Sequence, residues 1–240
     1  MVDCIYEDLK CLQISSPLLE SLSIVFSMKR RRSGLDNCQL KIFAPQLTFF
    51  EYRAPLTQLH AVKPLSSVVD VEVELYGGID KFDGQAMCTI PSSPMHSSFP
   101  FHSLKDLKVS ADLLNDKIIC TILRLLVANP CLGVFSLEIY GTPVESPYGY
   151  SEEYLKIFKV YSEQISGILE EVEITCPDLS DPVLHLVKML LGKEAFLKRL
   201  LLSSHSASSG SQQRPNKRKR LLQKVLSFPR RSCNLVVAFL

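Results

Sequence analysis

Apolar residues recur along the chain in short alternating groups separated by polar turns. The first two groups align residue for residue at an offset of 28, since segment 12–24 reads LQISSPLLESLSI and segment 40–52 reads LKIFAPQLTFFEY. Both follow the pattern L-x-I-x-x-P-x-L-x-x-[L/F]-x-[I/Y]. Agreement at six positions indicates an internal repeat of the polypeptide.

The second half of this pattern, L-x-x-L-x-L, predicts a strand and recurs further along the chain. Further copies begin at Leu104, Leu132, Leu169 and Leu197, and a looser copy covers Val69–Val73. Alternate side chains of a strand point to opposite faces, so the leucine positions enter one shared core and the residues between them face outward. Successive copies lie 21 to 37 residues apart, which indicates irregular repeats with inserted loops.

Between the later strands the apolar spacing becomes helical. One helix is predicted from Asp112 to the Asn129-Pro130 stop, and a second from Ser151. A third begins at Asp181-Pro182, where the aspartate caps the helix and proline takes its first position. A fourth, shorter helix is predicted over 217–226. Strands that alternate with helices favour an α/β architecture.

The strand pattern is the unit of leucine-rich repeats. One such unit cannot bury its apolar face alone, so the units must stack. We therefore predict an α/β leucine-rich-repeat solenoid, with a curved parallel sheet, helices on the convex side and irregular repeats. The predicted organisation is a repeat region over 1–103, with a loop insertion near 76–100, and a second region over 104–240, with a flexible insert at 203–216.

Composition is typical of a folded intracellular chain. The 240 residues hold 27 Lys and Arg against 25 Asp and Glu, a net charge of +2, and 46% are hydrophobic, which excludes a disordered regulator. The N-terminus lacks a secretory signal, and the longest uncharged stretch, 84–104, is interrupted by prolines that exclude a membrane span. We expect a cytoplasmic or nuclear location, with neither a membrane nor nucleic acid as a partner.

No residue pattern predicts catalysis, a cofactor or a metal site. The histidines are scattered, at His60, His96, His102, His185 and His205. The eight cysteines lack zinc-binding spacing and are interpreted as reduced, mostly apolar thiols. Helix capping and solvent exposure explain the acidic group at Glu170–Glu173, Asp178 and Asp181. The chain is therefore not expected to be an enzyme.

The repeats and their order resemble those of plant F-box proteins that carry leucine-rich repeats and end in an FBD domain. The resemblance rests on the P-x-L repeat of the first two blocks and on the strand at 104–109 with its helix and Asn129-Pro130 turn. Segments 169–174, 187–200 and 226–232 resemble the FBD domain. The resemblance covers residues 9–240.

This resemblance implies a protein-interaction module that recognises substrates for an SCF-type ubiquitin ligase. An F-box, the helical module that docks on Skp1, is not found in the sequence. Skp1 and cullin are therefore expected as partners only where an F-box is supplied elsewhere, and the target protein is not identified. The alternative is a truncated repeat scaffold with no ligase function and a nuclear role.

The outward residues of the predicted strands form the expected binding surface for a partner. The residue between the last two apolar positions of each strand faces away from the core. These residues are Ser23, Glu51, Glu72, Lys108, Ser136, Glu173 and Leu201. Their mixture of charged and small side chains suits a protein or peptide partner, with plain solvent exposure as the alternative for each.

Two basic runs are candidates for nuclear import or anion binding. They are Lys29, Arg30, Arg31 and Arg32, and Lys217, Arg218, Lys219 and Arg220. The alternative is that the first run is a solvated turn and the second is the charged start of a helix.

A repeat is already under way at Leu9, and an end repeat exposes one side of its core. We therefore expect Leu9, Leu12 and Ile14 to edge an exposed apolar face, unless a partner or an alternative start covers them.

Overall fold

The computed structural model describes most of the chain in segments. These are residues 11–25, 39–55, 65–76, 101, 103–111, 116–141, 152–165, 168–177, 181–193, 196–204 and 214–240. The strands are β1 (Cys11–Ser15), β2 (Ser21–Val25), β3 (Gln39–Phe43), β4 (Phe49–Pro55), β5 (Asp70–Tyr76), β6 (Asp106–Ala111), β7 (Val134–Ile139), β8 (Glu171–Cys176), β9 (Arg199–Ser204) and β10 (Val236–Phe239). The helices are α1 (Asp116–Ala128), α2 (Glu152–Gln164), α3 (Asp181–Lys193) and α4 (Arg214–Leu226).

The architecture is α/β, with an eight-stranded sheet in which each neighbouring pair is parallel. Its strand order, β2-β4-β5-β6-β7-β8-β9-β10, follows the order of the chain. Strands β1 and β3 form a separate two-stranded parallel sheet. Each of the predicted L-x-x-L-x-L units lies on a strand of the larger sheet, so the alternating pattern located these strands correctly.

The 28-residue repeat builds two strands rather than one. Leu12 lies opposite Leu40 in the small sheet, and Leu22 lies opposite Phe50 in the large one. The turns that separate the two strands in successive repeats are joined by backbone bonds, including one of 2.9 Å from the Thr48 amide to the Glu20 carbonyl. The first half of the motif, L-x-I, is therefore a strand that the sequence analysis did not assign.

Helices replace the short strands in the later part of the chain. Helix α1 ends one residue before Asn129, whose buried side-chain amide donates to the Leu125 carbonyl at 2.7 Å and so occupies a free helix-end acceptor. Helix α3 begins at Asp181, as the cap predicted. Helix α4 begins at Arg214, three residues before the predicted start, and β9 continues to Ser204. Regular elements thus occupy both ends of the expected insert 203–216, and its middle lies outside the described residues. Of the loop expected near 76–100, Tyr76 ends β5 and residues 77–100 lie outside the described residues.

One core cluster joins the sheet to its second layer. Alternate residues of β6, such as Leu107 and Val109, are buried on the same side as the apolar residues of the helices. Helix α3 alone buries seven hydrophobic residues, from Val183 to Leu191. Leu12 and Ile14 are only partly buried against this core, and Leu9 lies outside the described residues.

Exposed apolar side chains mark both ends of the described sheet. Leu18, Val25 and Phe43 are 76%, 60% and 63% exposed at the β1/β2 end. Val236 and Leu240 are 60% and 65% exposed at the β10 end. The expectation of an exposed apolar edge at the first repeat stays a prediction, since Leu12 and Ile14 themselves are partly covered.

Candidate functional site

The strand register brings the seven predicted surface residues into one row across the sheet. In order from β2 to β9, the direct neighbours are Ser23, Glu51, Glu72, Lys108, Ser136, Glu173 and Leu201. We call this line the central row. Neighbouring strands lie about 4.8 Å apart, so each side chain is within reach of the next.

The outward positions of β4 to β8 form a surface that we call the polar face. Among the side chains there whose exposure the structure describes, all are exposed or partly exposed apart from Ser110 and Thr175, which are buried. Eight of these positions are carboxylates, namely Glu51, Asp70, Glu72, Glu74, Asp106, Glu138, Glu171 and Glu173. Two are cations, Arg53 and Lys108. The polar face is therefore strongly acidic, although the whole chain carries a net charge of +2.

Hydrogen bonds fix the carboxylates at the β4 end of this surface. Ser23 Oγ on β2 donates to Glu51 Oε2 at 2.5 Å. Arg53 Nε donates to Glu51 Oε1 at 2.6 Å and lies 3.4 Å from Glu74 Oε2 on β5. Three adjacent strands are thus linked by side chains, which orients these two carboxylates.

A second set of contacts crosses β8 and β9. The Arg199 guanidinium pairs with Glu171, and Lys198 Nζ lies 2.7 Å from Glu170 Oε2. The hydroxyls of Thr175 and Ser203 share a hydrogen bond of 2.5 Å. Each pair joins residues 28 positions apart, so the spacing of the repeat decides which side chains meet.

The middle of the polar face places like charges opposite each other. Asp70 is the direct neighbour of Asp106, and Glu51 is the direct neighbour of Glu72. Burial raises the pKa of Asp70, and the carboxylates of Asp106 and Glu72 raise that pKa further. Opposed like charges destabilise a sheet. Within the described segments no cation forms an ion pair with Asp70, Glu72, Asp106 or Glu173.

The predicted basic runs differ in what the structure describes. The run 29–32 lies outside the described residues, while the run 217–220 lies in α4, where Lys219 and Arg220 are exposed. Nearby, Arg231 donates to the Lys193 carbonyl at 3.4 Å, and Lys224 lies 3.5 Å from Asp181 at the start of α3. Part of the basic charge in this region therefore joins α3 to the residues that follow it.

The sequence analysis missed a segregation of charge. Residues 182–240 hold 12 Lys and Arg against one Glu, whereas residues 1–181 hold 15 against 24 Asp and Glu. The balance of +2 conceals this division. Comparing charge between the parts of the chain, rather than over the whole, was the signal that could have found it.

Other reactive side chains are dispersed through the described part of the chain. His185 of α3 stacks on Phe158 of α2 with ring centroids 4.6 Å apart, and burial lowers its pKa. Cys120 and Cys176 are buried, while Cys131 and Cys233 are exposed. In the segments that the structure describes, no group of three His, Cys, Asp or Glu residues could hold a metal ion.

No family model, curated protein or solved structure matches this chain. None of the helices in the described segments is long and apolar enough to cross a membrane.

Proposed function

We propose that this chain is a leucine-rich-repeat protein-interaction module, similar to the substrate-recognition part of an F-box adaptor of an SCF-type ubiquitin ligase. The observation that supports it most is the recurrence of 28-residue offsets between neighbouring parallel strands. This offset relates β1 to β3, β2 to β4, β6 to β7 and β8 to β9. A parallel sheet whose strands follow chain order is what stacked repeats produce.

The polar face is the proposed binding surface of this module. The leucines of each repeat pack in the core, and the positions between them face outward, where they can contact a partner. The seven residues of the central row thus present one continuous line of side chains to a partner. Extended, solvent-accessible sheet surfaces of repeat proteins suit protein and peptide partners, and no catalytic role is proposed for this line.

The ligase role depends on the resemblance to plant F-box proteins with an FBD domain. That resemblance covers the repeats, so docking on Skp1 requires an F-box from outside the repeat region. The alternative is a repeat scaffold that binds a partner through the same surface without recruiting a ligase. The exposed basic residues of α4 favour a nuclear location for this scaffold alternative.

Proximity labelling in cells with matched variants tests both parts of the proposal. The polar-face variant is Glu72→Lys with Glu173→Lys, and the control is Glu20→Lys with Glu163→Lys. Glu20 and Glu163 are exposed and lie off the polar face. Both variants replace two glutamates with lysines, so they change the net charge equally. We expect the polar-face variant to lose specific neighbours that the wild type and the control retain.

The ligase part has its own readout in the same cells. An adaptor brings Skp1 into the labelled set, and its specific neighbours rise in abundance when the chain is depleted. If the abundance of these neighbours stays constant on depletion and Skp1 is absent from the labelled set, the adaptor hypothesis is overturned in favour of the scaffold. Equal losses in the polar-face and control variants would overturn binding through the polar face itself.

A further inference from the structure

We propose that the polar face binds an extended, Lys/Arg-rich segment of a partner protein. This inference rests on the proposed function and names the chemistry of its partner. The polar face carries eight carboxylates and two cations, so its charge suits a cationic partner. Arg53 already contacts Glu51 and Glu74, so it is committed within the face.

Four of the eight carboxylates have no ion-pair partner within the described residues. Asp70, Glu72, Asp106 and Glu173 form no ion pair there, and Lys108 is the one other cation on the polar face. A sheet that needed only to fold would gain stability from alternating charges at Asp70 and Asp106. Holding two carboxylates opposite each other instead costs free energy, and a bound cationic chain offsets that cost.

The dimensions of the surface favour an extended chain over a single ion. The acidic positions run from β4 to β8, which is about 19 Å at the usual strand spacing. A chain at about 3.3 Å per residue crosses this distance in about six residues. The carboxylates are distributed over five strands, and no three of the described acidic, cysteine or histidine side chains could hold one metal ion.

The basic end of a second copy is a competing occupant that the structure favours less. Part of the basic charge there is used within the chain, as in the contacts of Arg199 with Glu171, Lys224 with Asp181, and Arg231 with the Lys193 carbonyl. Binding between the basic end of one copy and the polar face of the next is also head-to-tail. Such contacts produce open filaments unless the rotation closes a ring.

Titration with synthetic peptides tests the proposal. The probe is a fluorescein-labelled peptide of alternating lysine and serine, and the matched peptide replaces lysine with glutamate. Binding to the purified chain is measured by fluorescence anisotropy at low and moderate salt. The protein variants are Glu72→Gln with Glu173→Gln, and the off-face control Glu20→Gln with Glu163→Gln, which removes the same charge.

We expect the lysine peptide to bind wild type and control alike, and the polar-face variant to bind about tenfold more weakly. Added salt should weaken binding, and the glutamate peptide should not bind. Equal weakening in both variants, or none in either, would overturn the proposal. Circular dichroism and urea midpoints of the variants establish that both remain folded.

Two further results separate this inference from its rivals. Growth of the wild-type mass at low salt in gel filtration, lost in the polar-face variant, would assign the surface to a second copy and overturn the basic partner. If the lysine peptide does not bind, while the variant Glu72→Lys with Glu173→Lys loses neighbours in cells, the proposed binding surface is supported and its basic partner is overturned. If the lysine peptide does not bind and the variant Glu72→Lys with Glu173→Lys also keeps its neighbours in cells, the binding module is overturned as well.

Discussion

The two ends of the large sheet are covered by different second layers. Between β1 and β4 the layer behind the large sheet is itself a pair of strands, β1 and β3, whose Leu12 and Ile14 are only partly buried. From β6 onward that layer is helical, and α3 buries seven hydrophobic residues. A short strand offers alternate residues to the core, whereas an amphipathic helix offers a whole face. The helical part therefore removes more apolar surface from water per repeat.

The largest expected effect comes from matched leucine truncations in the two layers. Leu186→Ala in α3 removes a side chain that is 0% exposed and should lower the free energy of unfolding by about 2–5 kcal/mol. Leu12→Ala in β1 should lower it by less than about 2 kcal/mol, because that side chain is partly buried and its site can fill with water. Urea unfolding measures both. Equal losses would show that the strand layer contributes as much as the helix layer.

A smaller effect is expected on the polar face at β5, between the strand-backed and helix-backed parts. Asp70→Asn removes one of two opposed carboxylates and should raise stability at neutral pH by about 0.2–1 kcal/mol. The folded-state pKa of Asp70 is raised above 3.8, so its unfavourable contribution develops as the pH rises through that raised pKa. The variant should lack this decline when urea midpoints are followed against pH. Glu20→Gln, an exposed site off the polar face, serves as the control and should leave the decline in place.

The smallest expected effect lies at the α2–α3 contact. Burial and Lys188 lower the pKa of His185, while Asp181 opposes them. The folded chain thus holds this proton less tightly than the unfolded chain, and stability should fall as the pH drops below 6.5 through the lowered pKa. His185→Gln should flatten the dependence of the urea midpoint on pH in this range. A midpoint that falls equally in both proteins would assign the pH dependence to other groups.

Much of the large sheet could be predicted because its strands are short alternating patterns bounded by turns. The L-x-x-L-x-L units located its strands, and Asp181-Pro182 located the start of α3. The β1 and β3 strands were not assigned, since an isolated L-x-I triplet is too short to distinguish a strand from a turn. The early start of α4 had a signal in Pro215, which fits the first turn of a helix.

The residues of the central row could be predicted, but the acidic character of the surface around it could not. Each of its residues follows from the alternation within one strand, so Glu51 and Glu72 could be named without knowing that they are neighbours. The opposed carboxylates depend on register, because the offset between paired strands is 28 from β2 to β4 but only 21 from β4 to β5. Only the structure brings Asp70 beside Asp106 across an offset of 36.

Strand order that follows chain order has a mechanical consequence. Each interior strand of the large sheet is bonded to its two neighbours, while β2 and β10 are each bonded to one. Stability in such an array is close to a sum of nearest-neighbour interfaces. We therefore expect force or denaturant to separate the sheet from its ends, one interface at a time, and a defect at β6 to divide it into two separately unfolding parts. The site of damage, more than its size, decides whether the protein frays or divides.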